Sequence, residues 1–273
     1  MNIKCLKITV LFLLALPILA HSQSIPLSAY SPITQIPLQA KFITTDKLQQ
    51  LYAVTPQNTV IKFTPEGKEQ YRFSNNTLGE LGYVDATDPF NLLLYYPDYQ
   101  LVVVLDRTLN QTASLHLLEA GVIQASAVGL GNDGNIWVYD EASFQLRQFS
   151  RRGEVLFESQ NLSLVLPKAP QPLQLFAREN FVYLNDPKQG ILVFDTFGQY
   201  AKTIAIPDIM RFQVLDNRLI YQQNGQLQLY DLKSFRDATM DLPEGVEAKD
   251  QIQIQQNRIF VQKQDAILIY DWK

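Results

Sequence analysis

Short apolar runs of four to six residues follow one another along the chain, separated by polar turns rich in Gly, Pro, Asn and Asp. The clearest example is the stretch 131–157, GNDGNIWVYDEASFQLRQFSRRGEVLF, which reads as three strands and the turns between them. Runs such as LLLYY and LVVVL are apolar at every position, which is typical of strands covered on both faces. After residue 22 no stretch has the 3.6-residue period of an amphipathic helix. The pattern therefore predicts an all-β protein.

The same pattern recurs at a regular distance. Each repeat has an aromatic residue or a leucine at the end of its second apolar strand, at Phe63, Leu105, Phe149, Phe194, Tyr230 and Tyr270. The successive spacings are 42, 44, 45, 36 and 40 residues, within the range of a four-stranded propeller blade. An asparagine lies 13 or 14 residues before five of these anchors, at Asn91, Asn135, Asn180, Asn217 and Asn257, and Gln49 takes its place in the first repeat. The spacing predicts a six-bladed β-propeller.

The sixth repeat ends after three strands, at Trp272-Lys273. The segment from Ile25 to Leu38 precedes the first blade and includes ITQIPL, which can form a strand. Such a strand would complete the last blade and leave no sheet edge open. We therefore expect an N-terminal segment at 23–40 that contains the closing strand, and the propeller at 41–273.

The first 22 residues have the pattern of a secretory signal peptide. Lys4 and Lys7 precede an apolar run at 8–20, and Ala20-His21-Ser22 supplies small residues for cleavage. The run is too short for a membrane helix, and no later run approaches 18 residues, so we expect no transmembrane segment in the mature chain. Cys5 precedes the apolar run, which disfavours a lipid anchor. We expect a periplasmic protein, with release from the cell as the alternative.

The charge balance and the missing motifs narrow the function further. The chain has 23 basic and 27 acidic residues and no basic block, so we expect no nucleic-acid partner. After cleavage the chain has no cysteine, and His116, in an outer strand, is its only histidine. No motif for a nucleophilic serine, a zinc site, a phosphate loop or a calcium loop is present. We expect no cofactor, and a binding module rather than an enzyme.

The third repeat resembles those of the NHL and SMP-30/gluconolactonase-like six-bladed propellers. The match lies in Asp133-Gly134-Asn135, Ile136-Trp137-Val138, Asp140, Phe149 and Gly153, and the fourth repeat carries part of it. The lactonase branch holds a divalent metal in its channel with a Glu, two Asn and an Asp. Here the first strands of the blades end in Asp46, Asp85, Asp133, Glu179, Asp216 and Gln256, which is not that ligand set. The resemblance implies the fold and says little about activity.

The stretch 85–105 departs most from the repeat. It has Asp88-Pro89-Phe90 in place of the Asp-Gly turn, and places tyrosines around a proline bend. Its candidate contact residues are Phe90, Tyr95, Tyr96, Asp98 and Tyr99, because exposed aromatic side chains offer a large contact area at low entropic cost. In the alternative interpretation the tyrosines fill gaps between blades.

Three functions remain open from the sequence. We expect an exported, non-catalytic and monomeric scaffold that binds a protein partner in the bacterial cell envelope. The alternative is a small-molecule-binding or metal-dependent, lactonase-like propeller, with Asp46, Asp85, Asp133 and Asp216 converging at the channel mouth. A sugar-binding envelope protein is a third possibility, supported by surface aromatics alone.

Overall fold

The computed structural model describes residues 24–25, 30–247 and 249–272, with the side chains described from residue 30 onward. The predicted signal peptide lies outside the described residues. Within them the chain forms 25 strands and two short 3-10 turns, at 97–99 and 162–164. The expectation of an all-β protein is confirmed.

The strands form six antiparallel sheets that follow the repeat, one sheet for each blade. Blades 1 to 3 consist of β3 (Phe42–Thr45), β4 (Leu51–Val54), β5 (Val60–Phe63) and β6 (Glu69–Phe73); β7 (Tyr83–Asp88), β8 (Asn91–Tyr96), β9 (Leu101–Asp106) and β10 (Gln111–His116); and β11 (Ala125–Leu130), β12 (Ile136–Asp140), β13 (Gln145–Phe149) and β14 (Val155–Glu158). Blades 4 to 6 consist of β15 (Gln174–Arg178), β16 (Phe181–Asp186), β17 (Gly190–Asp195) and β18 (Tyr200–Ile204); β19 (Phe212–Leu215), β20 (Arg218–Gln223), β21 (Gln226–Asp231) and β22 (Asp237–Met240); and β23 (Gln251–Gln255), β24 (Arg258–Gln262) and β25 (Ile267–Trp272). The predicted six-bladed propeller is confirmed.

An N-terminal strand closes the last blade, as the sequence predicts. Strand β2 (Tyr30–Ile36) pairs antiparallel with β25, from Tyr30 opposite Trp272 to Ile36 opposite Ile267. A two-residue strand, β1 (Ser24–Ile25), lies parallel to β22 and extends blade 5 to five strands. The N-terminal segment therefore joins the outer edges of two neighbouring blades, and the sequence did not predict the contribution of β1.

The core lies between the blades. Six clusters of buried apolar side chains are present in the described residues, one at each interface between neighbouring blades. The second strand of each blade supplies side chains to the clusters on both of its faces, which explains why β4 and β12 are buried at every position. This is the physical reason for the continuous apolar runs in the sequence.

The ring has two faces, which we name by the loops on them. The connection face carries the links from one blade to the next and the turn between the second and third strands of each blade. The turn face carries the turns between the first and second strands and between the third and fourth. The first strand of every blade runs along the central channel from the connection face to the turn face.

Candidate functional site

Two of the five candidate contact residues are buried. Tyr96 is 0% exposed and Tyr95 is 5% exposed, so neither side chain is available at the surface as a contact residue. They are adjacent in β8 and point to opposite sides of the blade. Tyr96 packs in the cluster between blades 1 and 2, and Tyr95 packs in the cluster between blades 2 and 3. Both fill space between blades, as the alternative interpretation held.

The other three candidates are exposed, but they do not share a face. Tyr99 and Asp98 lie in the 3-10 turn after β8, on the connection face. Phe90 lies in the turn before β8, on the turn face, and is separated from Tyr99 by the whole length of that strand. A single contact surface could therefore include Tyr99 and Asp98 but not Phe90.

Tyr99 is one of seven large apolar side chains exposed on the connection face, a group that the sequence did not predict. We name this group the apolar arc. Its seven residues all lie on the connection face, on the loops of blades 2 to 5, and their exposed fractions run from 40% at Val165 to 84% at Leu164. The arc consists of Tyr99, Leu118, Ile123, Leu164, Val165, Leu173 and Met210. No pattern of apolar residues marks these positions in the sequence, because they lie in loops outside the strand repeat.

Backbone hydrogen bonds tie the loops of the arc to the blades. The loop that follows blade 2 is anchored where the Leu117 amide donates to the Gln100 carbonyl, at 2.8 Å. The Gln100 side chain in turn accepts from the amide of Ala125, at 2.7 Å. Farther along the arc, the amide of Leu162 donates to the carbonyl of Phe144, at 2.8 Å. The arc is therefore held in place by the ring.

The structure does not bring the four candidate channel-mouth carboxylates together. Asp133 and Asp216 are exposed on turns of blades 3 and 5. Asp133 accepts hydrogen bonds from the backbone and side chain of Asn135, so it stabilises its own turn. Asp46 is buried in blade 1, where it accepts from the Tyr52 hydroxyl at 3.0 Å and from two backbone amides. Burial raises the pKa of Asp46, although these hydrogen bonds oppose the shift.

Asp85 is the one member of this set that lines the central channel. Its two oxygens accept from the amides of Thr87 and Leu130, each at 2.8 Å. The side chain is 2% exposed, and this burial raises the pKa of its carboxyl. The described residues contain no group of three His, Cys, Asp or Glu side chains placed to hold a metal ion. His116 lies in the outer strand of blade 2 and is exposed.

The channel contains a cavity of about 290 Å³. The first strands of blades 1, 2, 4, 5 and 6 line it, whereas that of blade 3 does not. Strand β11 of blade 3, ASAVGL, has small side chains and packs closely against β15. A Cβ atom at Gly129 would lie 2.6 Å from Leu175 Cδ2 and 2.9 Å from the Leu175 carbonyl oxygen. Small residues thus let blades 2 and 4 close over blade 3, which moves the cavity towards blades 1, 5 and 6.

Glutamine side chains bridge the first strands on the open side of the channel. Gln251 of blade 6 accepts from the Ile43 amide at 3.1 Å and donates to the Ile43 carbonyl at 2.9 Å. Gln213 of blade 5 makes the same pair of bonds with Ile254, at 2.9 and 3.3 Å. Gln174 of blade 4 accepts from the amide of Phe212, at 3.3 Å. These bridges satisfy backbone groups that have no partner strand on the channel side.

Comparison with known proteins supports the fold, and it identifies neither a family nor an activity. No protein-family model and no curated protein matches the chain, so the resemblance to NHL and SMP-30/gluconolactonase-like repeats is not confirmed. Within residues 24–25, 30–247 and 249–272, no helix has the length and apolar character needed to cross a membrane.

Solved structures of similar shape come from proteins of different kinds. Virginiamycin B lyase from Staphylococcus aureus has a TM-score of 0.63 at 10% identity, over 89% of this chain and 100% of that one. The Pan2 WD40 domain from Neurospora crassa has a TM-score of 0.60 at 11% identity, over 91% and 97%. BamB from Moraxella catarrhalis has a TM-score of 0.54 at 10% identity, over 89% and 98%. At these identities the likeness shows that the chain is a β-propeller and leaves its activity to be argued from its own residues.

Proposed function

We propose that this protein is an exported, non-catalytic propeller that binds a protein partner in the bacterial cell envelope through the apolar arc. The observation that carries the proposal is the exposure of seven large apolar side chains on neighbouring loops of one face. Apolar side chains scattered singly over a surface are ordinary, whereas a group of them on one face is characteristic of interaction sites. Tyr99 stays a contact residue in this proposal, and Asp98 lies beside it at the rim.

A protein partner suits the arc better than a membrane surface. Helices and loops that bind anionic lipids combine apolar side chains with clusters of Lys and Arg. The loops that carry the arc contain the acidic residues Asp98, Glu119 and Asp208, against the basic residues Lys168 and Arg211. An apolar surface with a mixed, slightly acidic rim matches the usual composition of protein interfaces.

Export is supported by the sequence pattern of residues 1–22. Cleavage after Ser22 would leave β1, at Ser24–Ile25, close to the new N-terminus, so the mature chain would keep both N-terminal strands. We propose the periplasm as the location, a monomer as the working form, and domain limits of 23–40 for the closing segment and 41–273 for the propeller. The hydrolytic alternative has weaker support, because it requires carboxylates that lie together.

The proposal is tested by photocrosslinking from the two faces in intact cell envelopes. A photoreactive residue replaces Leu164 in the arc, and the matched control carries it at Phe197, which is exposed on the turn face. We expect one specific partner band from position 164 and none from position 197. The partner is then identified and purified for binding measurements.

Binding of that purified partner is measured with two double variants. Leu118→Ala with Ile123→Ala should weaken binding at least tenfold, because buried apolar anchors carry most of the energy of an interface. Phe197→Ala with Phe235→Ala should leave it unchanged. Equal crosslinking from both faces, or unchanged affinity of the arc variant, would contradict the proposal.

A further inference from the structure

Two residues that line the channel cavity have a buried polar atom with no hydrogen-bond partner among the described residues. The hydroxyl of Thr45, on β3, and the amide oxygen of Gln255, on β23, make no hydrogen bond to any described residue. The two side chains are 5% and 6% exposed, and both line the cavity. Buried polar groups are nearly always paired, so each of these two side chains has a hydrogen-bonding group that no described residue uses.

Arg178 lines the cavity at the same end of the channel. It lies at the end of β15 in blade 4, and its Nη1 donates to the carbonyl oxygen of Thr87 in blade 2, at 3.3 Å. Arg178 forms no ion pair with any described residue, although the carboxylate of Asp85 is near enough to interact with it electrostatically. A guanidinium has five N–H donors, so most of its hydrogen-bonding capacity is unused. Thr45, Gln255 and Arg178 all lie towards the turn face.

The rest of the cavity wall is largely apolar. Phe176 and Phe212 pack edge to face, with ring centroids 5.0 Å apart and an interplanar angle of 71°. Phe42 lines the cavity from blade 1. Arg211 lies at the mouth on the connection face and also has no ion-pair partner among the described residues. With two arginines and one aspartate, the cavity has an excess of positive charge.

We propose that the channel binds a small organic carboxylate with an aromatic or aliphatic body. Its carboxylate is held by Arg178, Thr45 and Gln255, and its apolar body packs against Phe176 and Phe212. Arginine suits a carboxylate because the two groups form paired, charge-assisted hydrogen bonds. The Thr45 hydroxyl and the Gln255 side-chain amide turn towards the carboxylate to donate to it, because neither unpaired atom is exposed to the cavity in this structure. The cavity volume lies at the lower end of the range for small-molecule sites, roughly 300–1,000 Å³, which limits the ligand to a small one.

The proposed carboxylate site and the apolar arc meet at Leu173 and Met210, which line the cavity at its mouth. The residues proposed to hold the carboxylate lie inside the ring, whereas the partner-binding variants Leu118→Ala and Ile123→Ala are outside the cavity lining. Loss of one activity leaves the other measurable, so the two proposals fail independently.

The test uses the folded mature chain and a matched pair of probes. Isothermal titration calorimetry compares 3-phenylpropionate with its uncharged analogue 3-phenylpropionamide. We expect saturable binding of the acid, at least tenfold tighter than that of the amide, because the amide cannot form the charge-assisted bonds to Arg178. This comparison is made on the wild-type protein and does not depend on any variant folding.

Variants then locate the site. Arg178→Gln should lower the affinity for the acid about tenfold or more and remove the preference over the amide. Arg152→Gln, at an exposed arginine of a blade 3 turn, is the charge-matched control and should change neither. Thermal unfolding of each variant checks that it is folded. Absence of saturable acid binding, equal affinity for acid and amide, or an unchanged affinity in folded Arg178→Gln would overturn the proposal.

Discussion

Asp85 and Asp106 lie on the first and third strands of blade 2, and their carboxyls have opposite environments. Burial raises the pKa of Asp85, despite its hydrogen bonds from two backbone amides. The carboxyl of Asp106 lies at the surface, where hydrogen bonds from the Asn110 amide and from Thr108 lower its pKa to about 2. An unfolded aspartate titrates near a pKa of about 3.9, so the two groups shift in opposite directions on folding.

The two shifts predict opposite effects of pH on stability. For Asp85 the folded state binds more protons than the unfolded state between about pH 4 and the raised pKa, so its contribution to the free energy of unfolding falls as the pH rises through that window. For Asp106 the contribution is present above about pH 4 and is lost as the pH falls towards about 2. Urea unfolding of wild type, Asp85→Asn and Asp106→Asn across pH 2–7 measures how the contribution of each carboxyl to the free energy of unfolding changes with pH. A variant whose pH profile matches that of wild type would show that its carboxyl does not contribute.

For single residues, the sequence shows the chemical type of a side chain but not whether that side chain is buried. The sequence shows Tyr95 and Tyr96 next to a proline bend. In the structure they are the last two residues of β8, and neighbouring blades cover both faces of that strand. The sequence also marked four aspartates near the ends of first strands, but it could not show that Asp133 and Asp216 face the solvent on separate turns. Burial depends on the neighbouring blades, which lie about 40 residues away along the chain.

At the scale of elements, the glutamine bridges connect strands that have no partner strand across the channel. Gln251 and Gln253 point in the same direction from β23, yet only Gln251 pairs with the backbone of Ile43. Gln251→Leu leaves an amide and a carbonyl of blade 1 without a partner, so we expect it to lower the free energy of unfolding by about 1–3 kcal/mol.

Gln253→Leu is the matched control, because it removes the same side chain from the same strand without breaking a bond of this kind. Urea unfolding at neutral pH compares the two variants. Equal losses of stability in both would show that the bridge between blades 6 and 1 contributes nothing beyond the packing of its side chain.

The closing strand can be tested by truncation. A chain that begins at residue 30 loses β1 and keeps β2, and we expect it to be nearly as stable as the full mature chain. A chain that begins at residue 37 loses β2 and leaves the edge of β25 open, with Ile267 and Ile269 beside it. We expect a lower urea midpoint and concentration-dependent association, because open edges pair with other chains. Size-exclusion chromatography and urea unfolding measure both effects, and equal behaviour of the two truncations would contradict a closing role for β2.

At the scale of the whole molecule, the sequence predicts the number of blades, their order and the closure of the ring. These features follow from a spacing of about 41 residues and from one missing strand, and both can be counted along the chain. The apolar arc, the cavity and the glutamine bridges could not be predicted in this way. They arise from loops and from side chains of different blades, which the closed ring brings together. In particular, the small residues of β11 displace the cavity, and their effect depends on how tightly blades 2 and 4 pack around them.

Closure of the ring by β2 also determines when this strand can pair during synthesis of the chain. Residues 30–36 are synthesised long before their partner strand, residues 267–272. Strand β2 therefore has no partner strand until more than two hundred further residues have been synthesised. Contacts so distant along the chain are slow to form, because the loop between them must be closed before they stabilise anything. Strand β2 can therefore pair with β25 only after strands from all six blades have been synthesised.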